Sequence, residues 1–132
     1  MKKTRKYSKK GFTLVELIVV LVILAVMAAM LVPALTGYID EARKKKDYNA
    51  ASEVLTAAQS AVAKYYGSTT SPTVDGAKAY VTSTEGDAFI DGLTGIDSTC
   101  SNVTVSDTYV VTGITVQLPG GNSYTWDGTK WS

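Results

Sequence analysis

Lys10-Gly11-Phe12-Thr13-Leu14-Val15-Glu16-Leu17 opens the stretch that decides the fold, and an apolar run follows it as far as Ile39. Residues 17–39 carry no charged side chain. About 20 such residues cross a bilayer as a helix. Ahead of the run stand six basic residues (Lys2, Lys3, Arg5, Lys6, Lys9, Lys10) and no acid. That asymmetry keeps the N-terminus cytoplasmic and exports everything after residue 40. A secretory signal peptide also begins with a basic stretch and an apolar core, then a small-residue cut. Here the run continues past the small residues near 25–29, and it contains Glu16. An acid buried at a helix centre in the membrane costs roughly 2.5–3.5 kcal/mol and is functional by default. A signal peptide has no use for it, so the segment reads as a retained anchor. A Glu tolerated by snorkelling at the membrane end is the bland alternative.

The same stretch explains the composition. The 132 residues include 13 basic and 12 acidic ones, a formal net charge of +1. With residues 1–11 set aside the balance is 7 basic to 12 acidic, and residues 47–132 alone carry a net −6. An acidic domain of this kind is not a general nucleic-acid surface. The chain has no His, which removes Ser-His-Asp catalysis, His-ligated zinc and the usual base near neutral pH. Its single cysteine, Cys100, forms no internal disulfide and builds no Cys-rich metal site. No enzyme, no cofactor, no catalytic residue and no metal site is expected.

Beyond the anchor the pattern changes period. Pro33 lacks the N–H that would reach the carbonyl of residue 29, so a kink or local unwinding is expected there, with Gly37 close by. Ala51, Val54, Leu55, Ala58, Val62 and Tyr65 then recur at helical spacing, while Asn49, Glu53, Thr56, Gln59 and Lys64 fall on other faces. Gly67 and the Ser/Thr/Pro stretch after it stop the helix. Arg43-Lys44-Lys45-Lys46 reads as a solvated helical face that pairs with Asp40, Glu41 and Asp47 or with neighbouring subunits.

Residues 67–132 hold 21 Ser/Thr and 9 of the 11 Gly, a composition suited to strands and turns. Residues 72–101 read as irregular. Strand signals come at 103–105 and 109–118, rich in β-branched residues. A final hairpin follows, either with an Asp127-Gly128 turn or with a Gly128-Thr129 turn that pairs Trp126 with Trp131. The expected fold is α+β: a long N-terminal helix, anchor then amphipathic spine, packed on a C-terminal antiparallel meander of about four strands. Its segments are 1–11, 12–39, 40–66 and 67–132. The two Trp residues read as core before carbohydrate platform, and the scattered Asp residues lack EF-hand spacing.

Gly11-Phe12-Thr13-Leu14-Val15-Glu16, behind a basic leader and ahead of about 20 apolar residues, resembles the N-terminus of type IV pilins and related pseudopilins. Pro33 and Gly37 fall where members of that family commonly have a proline and a glycine. The resemblance covers about residues 2–66. It implies that a prepilin peptidase cuts after Gly11 and that Phe12, the new terminus, is N-methylated. It further implies that subunits leave the membrane through an assembly platform and stack into a homo-oligomeric helical filament with other pilins. Glu16 would then meet the Phe12 amine of a neighbour, setting register, and the helix near Pro33 and Gly37 would loosen. The implied location is a single-pass cytoplasmic membrane protein that becomes a cell-surface filament. A lone Cys100 departs from Gram-negative pilins that close a loop with two cysteines, and leans towards Gram-positive pilin-like proteins or pseudopilins.

Overall fold

Fifty-five consecutive residues, Leu14–Ser68, form one helix (α1) in the computed structural model, which describes residues 11–132. The basic leader, residues 1–10, lies outside the described residues. The chain divides into two compact units, Met1–Glu41 and Ala42–Ser132. In the first, every described residue is exposed, including the whole aliphatic run. The helix passes through Pro33 and Gly37 as continuous α-helix. Next to the proline, the Thr36 hydroxyl donates to the carbonyls of Val32 (2.7 Å) and Pro33 (3.2 Å), a side-chain bond of the kind that bends helices.

In the second unit α1 buries one stripe: Ala51, Val54, Ala57, Ala58, Ala61 and Val62. Intervals of three and four put these on one face. Four of the six are alanines, which let neighbouring elements approach the helix closely. They share one core with Ala77, Val81, Ile90, Cys100, Val103, Val105, Val111, Ile114, Val116 and Leu118.

Residues 72–101, expected to be irregular, instead form two short helices, α2 (Val74–Val81) and α3 (Thr84–Thr94). Each has a hydroxyl N-cap. Thr73 accepts from the Gly76 N–H and Ser83 from the Gly86 N–H, satisfying donors that the first turn leaves free. Acids follow in both first turns (Asp75; Glu85 and Asp87), where the helix dipole favours them. Gly95 ends α3 in the left-handed conformation. Gly86 is buried against α2: a Cβ there would stand 2.0 Å from the Tyr80 carbonyl oxygen.

The sheet has three strands rather than about four: β1 (Thr99–Val105), β2 (Val111–Gln117) and β3 (Ser123–Trp126), antiparallel in the order β1-β2-β3. β1 is four residues longer at its start than the segment expected, and it is kinked by a bulge near Asn102, whose φ is +49°. The final segment does not become a fourth strand. It folds back around Gly128 (φ +98°) and meets β3 through one bridge, Trp126 to Trp131, and two hydrogen bonds between Thr125 and Ser132. The Gly128-Thr129 turn is thus the one used. The Asp127 carboxylate fixes it by accepting from the Thr129 N–H and hydroxyl and the Lys130 N–H at 2.7–2.9 Å. The two Trp rings lie 5.5 Å apart, half-buried against the core, with the Trp131 indole donating to Ser52 on α1.

Candidate functional site

The first turn of an α-helix leaves four N–H groups without intrahelical partners. At the start of α1 the sequence Thr13-Leu14-Val15-Glu16 supplies two. The Glu16 carboxylate accepts from the Thr13 N–H at 3.2 Å, and the Thr13 hydroxyl accepts from the Glu16 N–H at 3.2 Å. This reciprocal arrangement is a capping box, with Thr13 as N-cap and Glu16 three residues on. The carboxylate also lies in the first turn, where the dipole favours a negative charge. Glu16 therefore has a local task beyond its charge. The signal was present: Thr followed three residues later by Glu, just before an apolar run.

Phe12 is 80% exposed, and with Val15, Glu16, Val19 and Val20 it lines a shallow groove. Phe12 and Glu16 are thus brought together on one side of the helix start. Gly11 precedes the helix in exposed, irregular backbone, and no neighbouring atom comes near the position a Cβ would take. Pro33 and Gly37 line a different groove with Ala34, Tyr38 and Glu41. A Cβ on Gly37 would meet nothing, so no close approach within this unit calls for glycine there.

Between the two grooves the exposed side chains are aliphatic on every side. They include Leu17, Ile18, Val19, Leu21, Leu24 and Leu31. A contiguous apolar surface of this extent marks a membrane or protein contact. Among the described residues, α1 is the helix long and apolar enough to cross a bilayer.

The polar groups of the second unit hold the fold together. Gln59, placed by its spacing off the apolar stripe, donates to the Tyr109 carbonyl (2.9 Å) and accepts from the Val111 N–H (2.7 Å). It pins the β1–β2 turn to α1. Its place directly after buried Ala57 and Ala58 gives no sign of these distant backbone partners. Tyr124 donates to Asp47 at 2.6 Å, which raises the tyrosine's pKa because the phenol proton is held by the carboxylate. Cys100 is buried, and burial, with the charges of Asp87 and Asp91, pushes its thiol up to about 12. A thiol so held is inert near neutral pH. Burial also raises Asp87, offset by the Cys100 N–H it accepts and reinforced by Asp91.

Residues 6–32 match a family model described as the prokaryotic N-terminal methylation motif. The match takes in Gly11, Phe12 and Glu16 and ends before Pro33. No curated protein matches the chain, and no solved structure does.

Proposed function

We propose that the chain is a prepilin: the precursor of a structural subunit of a type IV pilus or pilus-like filament. One observation carries the reading. A methylation motif at residues 6–32 sits on a helix start where Phe12 and Glu16 share a groove and an all-round aliphatic surface follows. In this reading the prepilin peptidase cuts the exposed backbone after Gly11, and Phe12 becomes the methylated terminus. The anchor holds the subunit in the membrane with its acidic unit exported. The assembly platform then transfers it into a filament, where neighbouring copies cover the aliphatic surface.

The physics supports the transfer. Moving an aliphatic helix from lipid to a protein core changes its apolar burial little. A lone carboxylate in that core is costly, and a cation beside it relieves the cost. Cleavage creates such a cation at Phe12, within reach of the groove that holds Glu16 on a neighbour. Glu16 then acts in register rather than in raw stability. Loosening of α1 around Pro33 and Gly37 belongs to the filament state in this proposal. Adhesion pilus, competence pilus and secretion pseudopilus are variants of the same role, and a Gram-positive source fits the single cysteine.

The capping box favours one second reading: a membrane-tethered domain that does not polymerise and in which Glu16 only starts the helix. N-terminal sequencing and intact mass of the protein from its producing cell separate the two. The prepilin reading expects a start at methylated Phe12. A start at Met1, or near residue 29, overturns it.

A further inference from the structure

At the end of α1, Gln59, Ala63, Tyr66, Asp107, Thr108 and Tyr109 line a groove of about 460 Å³. Tyr66 is 53% exposed and meets the Tyr109 ring edge-on, centroids 4.8 Å apart. The groove is held in shape. Tyr109 has a left-handed backbone (φ +59°), unusual for a side chain of its size, and is fixed by Gln59 on its carbonyl and by its own hydroxyl on Pro72. Asp107 stands at its rim. Among the described residues its carboxylate has no hydrogen-bond or ion-pair partner. Lys64, the cation nearest in sequence on α1, is turned to the Phe89 ring, 4.5 Å away. Two tyrosine rings and an unpaired carboxylate make a receptor for a cation, above all for a guanidinium, which stacks on rings and forks onto carboxylates.

The same unit displays such cations elsewhere. Arg43, Lys44 and Lys46 are exposed, and among the described residues their side chains have no partner. Of the adjacent acids, Asp47 holds the Tyr124 hydroxyl and Glu41 has a partner of its own, while Asp40, among the described residues, makes no ion pair with the run. Positions 43 and 66 lie on one helix, so 23 residues at 1.5 Å set them roughly 34 Å apart along its axis. Complementary surfaces at two places on one chain form a heterologous contact, and copies joined that way build open helical filaments.

We infer that the basic turn of a second copy, with Arg43 foremost, seats in the Tyr66–Tyr109–Asp107 groove. The second copy is displaced by about 34 Å along α1. This contact rests on the filament reading and names the partner surface that reading lacks: head to head, outside the apolar core.

A charge exchange in the full-length protein in its producing cell tests it. Asp107→Arg and Arg43→Asp each lower the sheared filament yield about tenfold, while the amount of processed subunit in the membrane is unchanged. Combining them restores the yield to within about twofold. Full filament yield from either single variant overturns the inference. So does a double variant no better than the worse single one. In both cases wild-type filaments with a Phe12 start leave the filament reading standing. A wild-type chain that starts at Met1 and forms no filaments overturns both.

Discussion

Glu16 caps the helix and, in the proposed filament, would also set register; replacing it by Gln separates the two roles. As a cap, its side chain needs only an acceptor for the Thr13 N–H, 3.2 Å away, and a carboxamide oxygen provides one; capping boxes accept Gln as well as Glu. Glu16→Ala removes that acceptor and weakens the helix start by about 1 kcal/mol. As a charge, in the proposed filament, its value would come from the Phe12 amine of a neighbour inside an apolar core. Removing one partner of such a pair costs about 3–5 kcal/mol, two to nearly four powers of ten in the association constant. The carboxamide also inserts into a bilayer at lower cost than the carboxylate. The expected Gln variant is therefore well anchored, cut after Gly11 and normally capped, yet assembles at least a hundredfold less. Intact mass reads the processing, and negative-stain microscopy with blotting of the sheared surface fraction reads the filaments. Wild-type number and length of filaments from Glu16→Gln, with loss only in Glu16→Ala, would refute the register argument and leave the residue a cap.

Three further outcomes follow from the second unit. Gln59→Leu removes two hydrogen bonds to the β1–β2 turn and lowers stability by about 2–3 kcal/mol, read by tryptophan fluorescence in denaturant with the protein in detergent. Cys100 keeps its proton in the folded state up to a pKa of about 12, whereas the unfolded thiol loses it near 9. The thiol's contribution to stability is then unaffected below about pH 8.5 and falls by at most about 1.4 kcal/mol per pH unit above it, so Cys100→Ala makes the alkaline slope shallower in melts. Gly86→Ala drives a methyl group onto the Tyr80 carbonyl and destabilises by about 1–3 kcal/mol, with α3 the first helix to lose amide-exchange protection.

The long helix was legible because its signals are physical necessities. An unbroken apolar run has few other uses, and the change to intervals of three and four after Gly37 marks where one face becomes a core. The α2–α3 region was misread for a reason that can be named. Its helices are 8 and 11 residues long and contain Gly76, Gly86 and Gly92, so propensity and periodicity are both weak. Their caps were the readable part: Thr73 and Ser83 with acids just behind them. The fourth strand failed because, once the turn has used Asp127 to Lys130, Trp131 and Ser132 leave room for one bridge only. At the helix start, the motif holding Phe12 and Glu16 was visible in the sequence, while the capping box was masked because the charge of Glu16 already offered a sufficient reason for the acid. Gln59 was beyond sequence reasoning, since its partners are backbone groups about 50 residues away.

The carboxylates on α3 bear on how copies of this chain would meet in the proposed filament. Asp91 takes the N–H and hydroxyl of Ser98, and Asp87 lies near Cys100, so side chains occupy the place beside the start of β1 where a foreign strand would zip on. At the opposite border Thr125 is already paired with Ser132. Exposed strand borders are templates for indiscriminate backbone pairing, the route to amyloid. Here the start of the first border and the end of the second are engaged from within. In the proposed filament, where such domains would be crowded together, this favours recognition through side chains, which vary from protein to protein, over the peptide backbone, which does not.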